Sequence, residues 1–250
     1  MILLLSHAFA FDPVLESLED GEVDWTNLRL IVHAAGGNLG TATNLETAEG
    51  DARQQLEPRV QRLARAVRID RTRLAGALLD AEDAVADRLD SNLSLWEVYE
   101  ARYHGGGNVE LDAALSLQAW LRPALVTFAH TPEHPPQVGG ASGLILDARG
   151  LDLKCALGPE LFDAAGAHLF GVGDMTAYAA SQHGPVLYVA DPGDPVAAKR
   201  AGATPLFMRV DHVQDGTDLV LSAGDASELR TAALTSDLLV HGNVVVVVGP

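Results

Sequence analysis

The sequence has little of several residue types that many functions require. It has one cysteine, Cys155, in 250 residues, so it can form neither an internal disulfide bond nor a zinc site built from several cysteines. Lysine and arginine number 17 against 34 aspartate and glutamate residues, which gives a net charge of −17. This balance argues against electrostatic binding to nucleic acid or to an anionic membrane, because both need clustered basic residues.

Long apolar runs are also missing, and no stretch is long enough to span a bilayer. Hydrophobic residues still make up 48% of the chain, which is enough for a sizeable core. Aromatic residues make up only 5%, which disfavours a sugar- or peptidoglycan-binding platform, although Trp96 and Trp120 could contribute to one. The length fits one large domain or two small ones.

The first ten residues, Met1–Ala10, have two interpretations. They are apolar and end in Ala8-Phe9-Ala10, which is typical of the end of a secretory signal peptide. The basic segment that normally precedes the apolar part is missing, because the first lysine or arginine is Arg29. The segment is therefore either a signal peptide remnant at 1–10 or a mature N-terminal strand, and the first interpretation implies export.

A proline-rich segment divides the sequence into two halves. We expect a linker over residues 127–141, because His130–Gln137 is dense in proline, which fixes φ and donates no backbone hydrogen bond. On either side we expect an α/β domain at 22–126 and a β-rich α/β domain at 142–250. The predicted fold class is therefore α+β with two small domains.

The periodicities of the first half predict a strand-helix-helix-strand-strand sandwich with the helices on one face of the sheet. Residues 25–33 alternate as a strand, and Thr43–Glu46 has the form of a capping box before a long helix. Pro58 lies inside that helix and is expected to kink or split it. The remaining predicted elements are a second helix over 74–89 and hairpin strands over 93–104 and 109–117.

The second half predicts a mixed or antiparallel sheet with one or two helices. Five consecutive valines, Val244–Val248, cannot lie safely on an exposed edge, so we expect that strand to be central or covered. The other predicted elements are strands at 143–147, 186–190, 206–210 and 218–222, a hairpin at 160–170, and helices at 175–182 and 226–238.

The most suggestive polar group follows a buried strand, where functional residues are often found. It comprises Asp147, Arg149 and Lys154, with Asp225 as a further candidate. Zinc-dependent cell-wall amidases have Asp-x-Gly-His-Gly after such a strand, but here Arg149 takes the place of the histidine, and arginine cannot ligate a metal. The group supports either a hydrolase or small-ligand site or an ion pair that stabilises a turn.

Three other motifs are incomplete. His130, Glu133 and His134 are weak zinc candidates, because no fourth ligand is evident and the proline-rich backbone gives poor preorganisation. His104–Gly107 matches an esterase oxyanion-hole motif, but the required Gly-x-Ser-x-Gly is missing. Gly36–Gly40 lacks the full dinucleotide-binding pattern. We therefore expect no catalytic residues, no metal site and no cofactor.

Two stretches together resemble a known family. Residues 24–28, the glycines at 36, 37 and 40, the helix through Arg65, residues 67–70 and the hairpin at 103–117 resemble the small α/β domain of bacterial envelope proteins. That domain occurs in the flagellar assembly proteins FlgP and FlgT and in related surface lipoproteins. Residues 143–154, Pro159, the turn at 163–166 and residues 202–206 resemble the segment that follows the domain in longer members.

The resemblance implies a building block of periplasmic or outer-membrane assemblies without established catalytic residues. Its partners would be other envelope proteins or further copies of the chain, and the lipid-bearing cysteine of the surface lipoproteins is missing here. We therefore interpret the chain as a non-enzymatic structural or assembly protein of the envelope, with a flagellar role as one option. An edge strand of the first domain could pair with a partner strand. The alternative is a hydrolase or small-ligand-binding protein.

Overall fold

The computed structural model describes residues 11–37, 44–81, 83–129 and 139–249. These residues form two β-sheets with seven α-helices, so the predicted α+β class with two small domains is confirmed. The segment Met1–Ala10 and most of the proposed linker, including all three weak zinc candidates, lie outside the described residues. No described helix combines the length and the apolar composition that crossing a membrane requires.

The first sheet is antiparallel and has five strands in the order β1-β2-β3-β5-β4. One face of β5 carries residues that are fully buried beneath the longest helix of the domain, and the other face carries Glu110 and Asp112. The strands are β1 Leu15–Leu18, β2 Gly21–Asp24, β3 Arg29–Gly36, β4 Glu97–His104 and β5 Asn108–Ser116; the helices are α1 Leu45–Ala66, α2 Ala75–Leu79, α3 Ala84–Asn92 and α4 Leu117–Phe128.

Pro58 was expected to kink the first helix or to split it into two. The split is wrong, because α1 runs as one helix through this residue. Its buried residues Leu56, Val60 and Leu63 span both sides of the proline and pack into the core. Tertiary packing of this apolar stripe offsets the lost backbone hydrogen bond. The helix begins after Asn44, whose side chain accepts a hydrogen bond from the backbone N–H of Glu46.

The predicted second helix over residues 74–89 is two helices in the structure. The chain leaves helical geometry after α2, and Asp83 then caps α3 by accepting hydrogen bonds from the backbone N–H groups of Val85 and Ala86. An aspartate at this position favours a new helix start over continuation of the previous one. The predicted strand at 93–104 is also shorter, because residues 93–95 form a 3₁₀ turn before β4.

Three elements of the first domain, β1, β2 and α4, were not predicted, and one strand was misplaced. The hairpin of β1 and β2 extends the sheet, and the strand predicted from Trp25 begins only at Arg29, after a turn in which Leu28 has a φ of +51°. Ser116 ends β5 and caps α4 by accepting a hydrogen bond from the backbone N–H of Ala119. Helix α4 reaches Phe128 and so overlaps the start of the proposed linker.

The second sheet is mixed, with seven strands in the order β8-β7-β11-β10-β6-β12-β9. Its centre is parallel, because β6 pairs in parallel with both β10 and β12, and β12 pairs in parallel with β9. The strands are β6 Leu144–Asp147, β7 Leu161–Asp163, β8 His168–Phe170, β9 Val186–Val189, β10 Leu206–Gln214, β11 Asp218–Leu221 and β12 Val244–Val247; the helices are α5 Ala177–His183, α6 Pro195–Ala201 and α7 Ala223–Ala233.

The prediction that the valine run is central is confirmed. Strand β12 lies between β6 and β9, and all four of its residues are buried. Val245 and Val247 pack with Ala197 and Ala201 of α6, whereas the other two valines belong to the main core. Both faces of the strand are therefore covered, which explains why its sequence does not alternate with polar residues.

The structure also adds a helix to those predicted for the second domain. Helix α6 begins at Pro195 and is capped by Asp194, whose side chain accepts a hydrogen bond from the backbone N–H of Val196. Seven residues are too few for a clear apolar period, so only the cap and the proline at the first helical position could have indicated it. Helix α7 begins at Ala223, three residues before its predicted start.

The two domains share one continuous core. The main hydrophobic cluster contains residues of α1 and β3 together with residues of β6 and β12, and α4 packs against α5. Trp25 of the first domain makes an edge-to-face contact with Tyr188 of the second, with ring centroids 6.0 Å apart. Arg68 pairs with Glu16 and donates from Nε to the carbonyl of Cys155 at 2.9 Å. Apolar and polar contacts together therefore join the domains.

Candidate functional site

Asp147 and Arg149, two of the four proposed site residues, form an ion pair at the end of β6. Arg149 donates two hydrogen bonds to the Asp147 carboxylate, at 2.9 and 2.6 Å. These bonds lower the pKa of Asp147 to about 2, although partial burial acts in the opposite direction. The carboxylate therefore stays ionised at neutral pH, with its oxygens already engaged by the arginine.

Lys154 and Asp225, the other two proposed site residues, make different contacts. The backbone N–H of Lys154 donates to the carbonyl of Gly216 at 2.8 Å, in the turn between β10 and β11. Asp225 accepts a hydrogen bond from the hydroxyl of Ser222 at 2.7 Å, at the start of α7. Within residues 139–249, no hydrogen bond or ion pair links either of them to Asp147. Of the four residues, Asp147 and Arg149 are the two that contact each other through their side chains.

Cys155 lies in the core, and burial raises the pKa of its thiol to about 12. A neutral buried thiol is a poor nucleophile and a poor metal ligand. Among the described residues, no group of three or more His, Cys, Asp and Glu side chains is arranged to hold a metal ion. The weak zinc candidates His130, Glu133 and His134 lie outside those residues.

A cluster of charged side chains lies on the outer face of the first sheet and centres on Asp112. This side chain is 7% exposed and lies between His33 on β3 and Arg102 on β4. His33 Nδ1 is 2.7 Å from Asp112 Oδ1, and Arg102 donates hydrogen bonds of 2.6 and 3.1 Å to the carboxylate. Arg102 also contacts Glu100 and Glu110 at 3.0 and 3.1 Å.

The hydrogen bonds within this cluster satisfy its charged groups. Arg102 lowers the pKa of Asp112 and of Glu110, and the pKa of Arg102 itself is raised by its three carboxylate partners. The neighbouring cavity of about 330 Å³ is also lined by Gln55 and Arg59, but these donate to carbonyls of β3 at 2.8 and 2.5 Å. No serine, threonine or cysteine is among the described residues that line it. The cluster therefore links β3, β4 and β5 on the outer face of the sheet, and the side chains of Gln55 and Arg59 bind α1 to the end of β3.

Among the described strands, β4 has the longest open edge. This eight-residue strand pairs with β5 on one side, and no other described strand lies on its other side. Tyr99 and Tyr103 are 52% and 54% exposed along it. The pairing shifts register between Val98 and Glu100, which makes a bulge at Tyr99. A bulge and charged side chains are features that protect an open strand edge from aggregation.

The edges of the second sheet are less open. Strand β8 has only three residues, and the outer strand β9 is contacted by the first domain, because Thr26 Oγ1 donates to the carbonyl of Tyr188 at 2.8 Å. The sequence predicts the hairpin of β4 and β5 but not the terminal position of β4 in the sheet. Strand order depends on contacts between distant segments, and no local pattern encodes it.

The second domain is similar to a domain found in another protein. Residues 143–250 match the family model for the second domain of Treponema pallidum Tp0624. The match begins one residue before β6 and includes every strand of the second sheet. No curated protein matches the chain.

Proposed function

We propose that this chain is a non-enzymatic assembly protein of the cell envelope, and that the first domain joins a partner through β4. The observation that carries the proposal is the open eight-residue edge of that strand. In strand addition, the partner's backbone continues the hydrogen-bond ladder, and alternate side chains provide specificity. The two half-exposed tyrosines, Tyr99 and Tyr103, offer the large, rigid contact area that is common at interfaces.

The charge of the molecule favours a basic partner. The chain has a net charge of −17, and β4 itself contains Glu97 and Glu100. Such a field accelerates association with a positively charged surface and disfavours pairing between two copies of the same chain. The proposed partner is therefore a different protein with a basic, extended segment.

The location is proposed on two sequence features. The apolar segment Met1–Ala10 supports export to the periplasm or the outer membrane, and the resemblance to FlgP and FlgT supports an envelope assembly, with flagella as one setting. The match to Tp0624 supports a second domain that recurs in more than one protein. Recurrence of a domain does not specify its partner.

The enzymatic alternative is less well supported. A hydrolase or small-ligand site built from Asp147, Arg149, Lys154 and Asp225 would require the four side chains to line one cleft. The Asp147–Arg149 ion pair uses two of them, and the contacts of the other two lie elsewhere. We therefore favour an interaction surface over a reaction centre.

Site-specific photo-crosslinking in cells tests the proposal. A photoreactive residue replaces Tyr99 on β4 or, as a control, Tyr178, which is 75% exposed on α5. We expect a discrete crosslinked protein from position 99, none from position 178, and recovery of the full chain with the envelope fraction. Recovery in the cytosol would refute the location, and absence of a crosslink from position 99 would refute the role of β4.

A further inference from the structure

The corner where α3 meets β4 contains a cleft that no part of the proposed function uses. Its volume is about 360 Å³, which is within the range of small-molecule sites. Six side chains line it, from α1, from the end of α3 and from the 3₁₀ turn that follows: Glu57, Gln61, Asp90, Leu93, Ser94 and Trp96. We call it the Trp96 cleft.

The walls of the Trp96 cleft are held in place by the core. Leu93 is buried, and Trp96 packs against the main hydrophobic cluster. The preceding helix is fixed to α4, because the buried indole of Trp120 donates from Nε1 to the carbonyl of Leu89 at 3.0 Å. Glu57 and Gln61 are one helical turn apart on α1 and line the same cleft. The site is thus built on helices rather than on mobile loops.

Of the polar side chains that line the cleft, Ser94 has a partner in the described part of the chain, because its hydroxyl donates to the carbonyl of Ser91 at 2.8 Å. Among the described residues, no side-chain hydrogen bond or ion pair involves Glu57, Gln61 or Asp90, or the indole N–H of Trp96. The cluster around Asp112 is the opposite case, since Arg102 satisfies its carboxylates there. The acceptors of the Trp96 cleft therefore remain available to a ligand.

The charge and the composition of the lining favour a cationic ligand with an apolar part. Two carboxylates line the cleft, and no described lysine or arginine does. An aromatic ring attracts a cation, and Leu93 with Trp96 provides apolar surface for a short aliphatic chain. We propose that the Trp96 cleft binds an alkylammonium group, with its cation near Glu57 and Asp90 and its carbon chain against Trp96.

Nuclear magnetic resonance of the indole N–H groups tests the proposal. The chain has three tryptophans, and Trp25 and Trp120 are almost completely buried, so the indole signal of Trp96 is the one expected to respond. The full chain is titrated at low salt with 1,5-diaminopentane, with Nα-acetyl-lysine methylamide, or with uncharged 1,5-pentanediol. We expect a saturable shift with an amine and none with the diol. A response to the lysine derivative alone would identify a lysine side chain as the ligand, and a response to the diamine alone a free amine.

A matched pair of variants separates specific binding from the attraction of any cation to an acidic protein. The double variant Glu57→Gln/Asp90→Asn removes both carboxylates of the cleft. The control Asp51→Asn/Asp87→Asn removes two exposed charges from the same helices and leaves the same net charge. We expect about five-fold weaker binding for the first variant and little change for the control. Equal weakening in both variants, or a wild-type chain that shows no saturable shift, would overturn the proposal.

Discussion

At the scale of single residues, the charged side chains of the outer sheet face act in groups. Asp112 is almost fully buried, yet it remains ionised because Arg102 donates two hydrogen bonds to its carboxylate. Removing the Asp112 carboxylate takes a partner from both His33 and Arg102, although Arg102 keeps its contacts with Glu100 and Glu110. The cost is larger than the loss of a single exposed ion pair.

Replacement of Asp112 by asparagine should therefore destabilise the fold by about 1–3 kcal/mol near neutral pH. The pKa of Asp112 is lowered in the folded state, so its contribution is complete above about pH 4 and is lost as the pH falls through the lowered pKa. Urea denaturation between pH 2 and 7 should show a shallower acid dependence for the variant than for wild type. Asp87→Asn is the control, because this exposed side chain has no hydrogen-bond or ion-pair partner among the described residues, and equal effects would contradict the prediction.

A second prediction concerns the pKa of Asp147 in its pair with Arg149. Replacement of Arg149 by alanine removes the hydrogen bonds that hold the pKa of Asp147 at about 2, so that pKa should rise towards 3.8. Carboxyl-carbon NMR titration of wild type and variant measures this directly. A pKa that stays near 2 in the variant would mean that another group stabilises the carboxylate.

Cys155 should react only when the chain unfolds. Its pKa of about 12 leaves almost no thiolate at pH 8, and burial blocks access to a reagent. We expect no modification by a disulfide reagent over minutes in buffer and one modified thiol per chain in concentrated denaturant. Rapid modification of the native protein would show that the segment around Cys155 opens readily.

At the scale of elements, the close approach of α1 to the first sheet depends on one glycine. A Cβ at Gly36 would lie 1.8 Å from the carbonyl oxygen of Ala48 and 2.8 Å from the backbone nitrogen of Ala52. The strand and the helix therefore touch backbone to backbone at this point. Any larger residue would have to push α1 away from β3.

Two alanine variants test this contact and control for each other. Gly36→Ala should destabilise the fold by about 1–3 kcal/mol, because the clash involves backbone atoms that cannot rotate away. Gly50→Ala, inside α1 with open space around its Cβ, should instead stabilise by about 0.5–1 kcal/mol. Chemical denaturation of both variants is the measurement. Similar effects of the two changes would show that helix α1 can shift without cost.

The elements differ in how well the sequence predicts them, and the differences have physical causes. The hairpin of β4 and β5 and the buried strand β12 follow from alternation and from a run of valines, which are local patterns. Helices α4 and α6 were missed because Pro123 interrupts one apolar stripe and the other helix has only seven residues. For α1 a kink or a split was expected at Pro58, and the split did not occur, because contacts with the sheet outweigh a local propensity.

At the scale of the whole molecule, the shared core makes a prediction about unfolding. Because one hydrophobic cluster extends through both domains, we expect a single cooperative transition rather than two. Calorimetry, far-ultraviolet circular dichroism and tryptophan fluorescence should give the same midpoint. Two separated transitions would show that the interface of Trp25 with Tyr188 adds little to stability.

The candidate surfaces were predicted less completely than the fold. The sequence indicated Asp147 and Arg149, whose spacing is local, and an edge strand in the first domain. It did not indicate the Trp96 cleft, whose lining comes from two helices and a turn separated by about thirty residues of chain. No motif marks such a site, because it forms only where α1 packs against the 3₁₀ turn that follows α3.

The position of β12 has a consequence for biosynthesis. This strand separates β6 from β9, and its partner in β6 lies a hundred residues earlier in the chain. During translation the second sheet therefore stays incomplete between β6 and β9 until Val244–Val247 has left the ribosome. The five strands of the first sheet can already pair before then. Throughout that interval the nascent second domain exposes the facing edges of β6 and β9, and unpaired strand edges make such intermediates prone to aggregation.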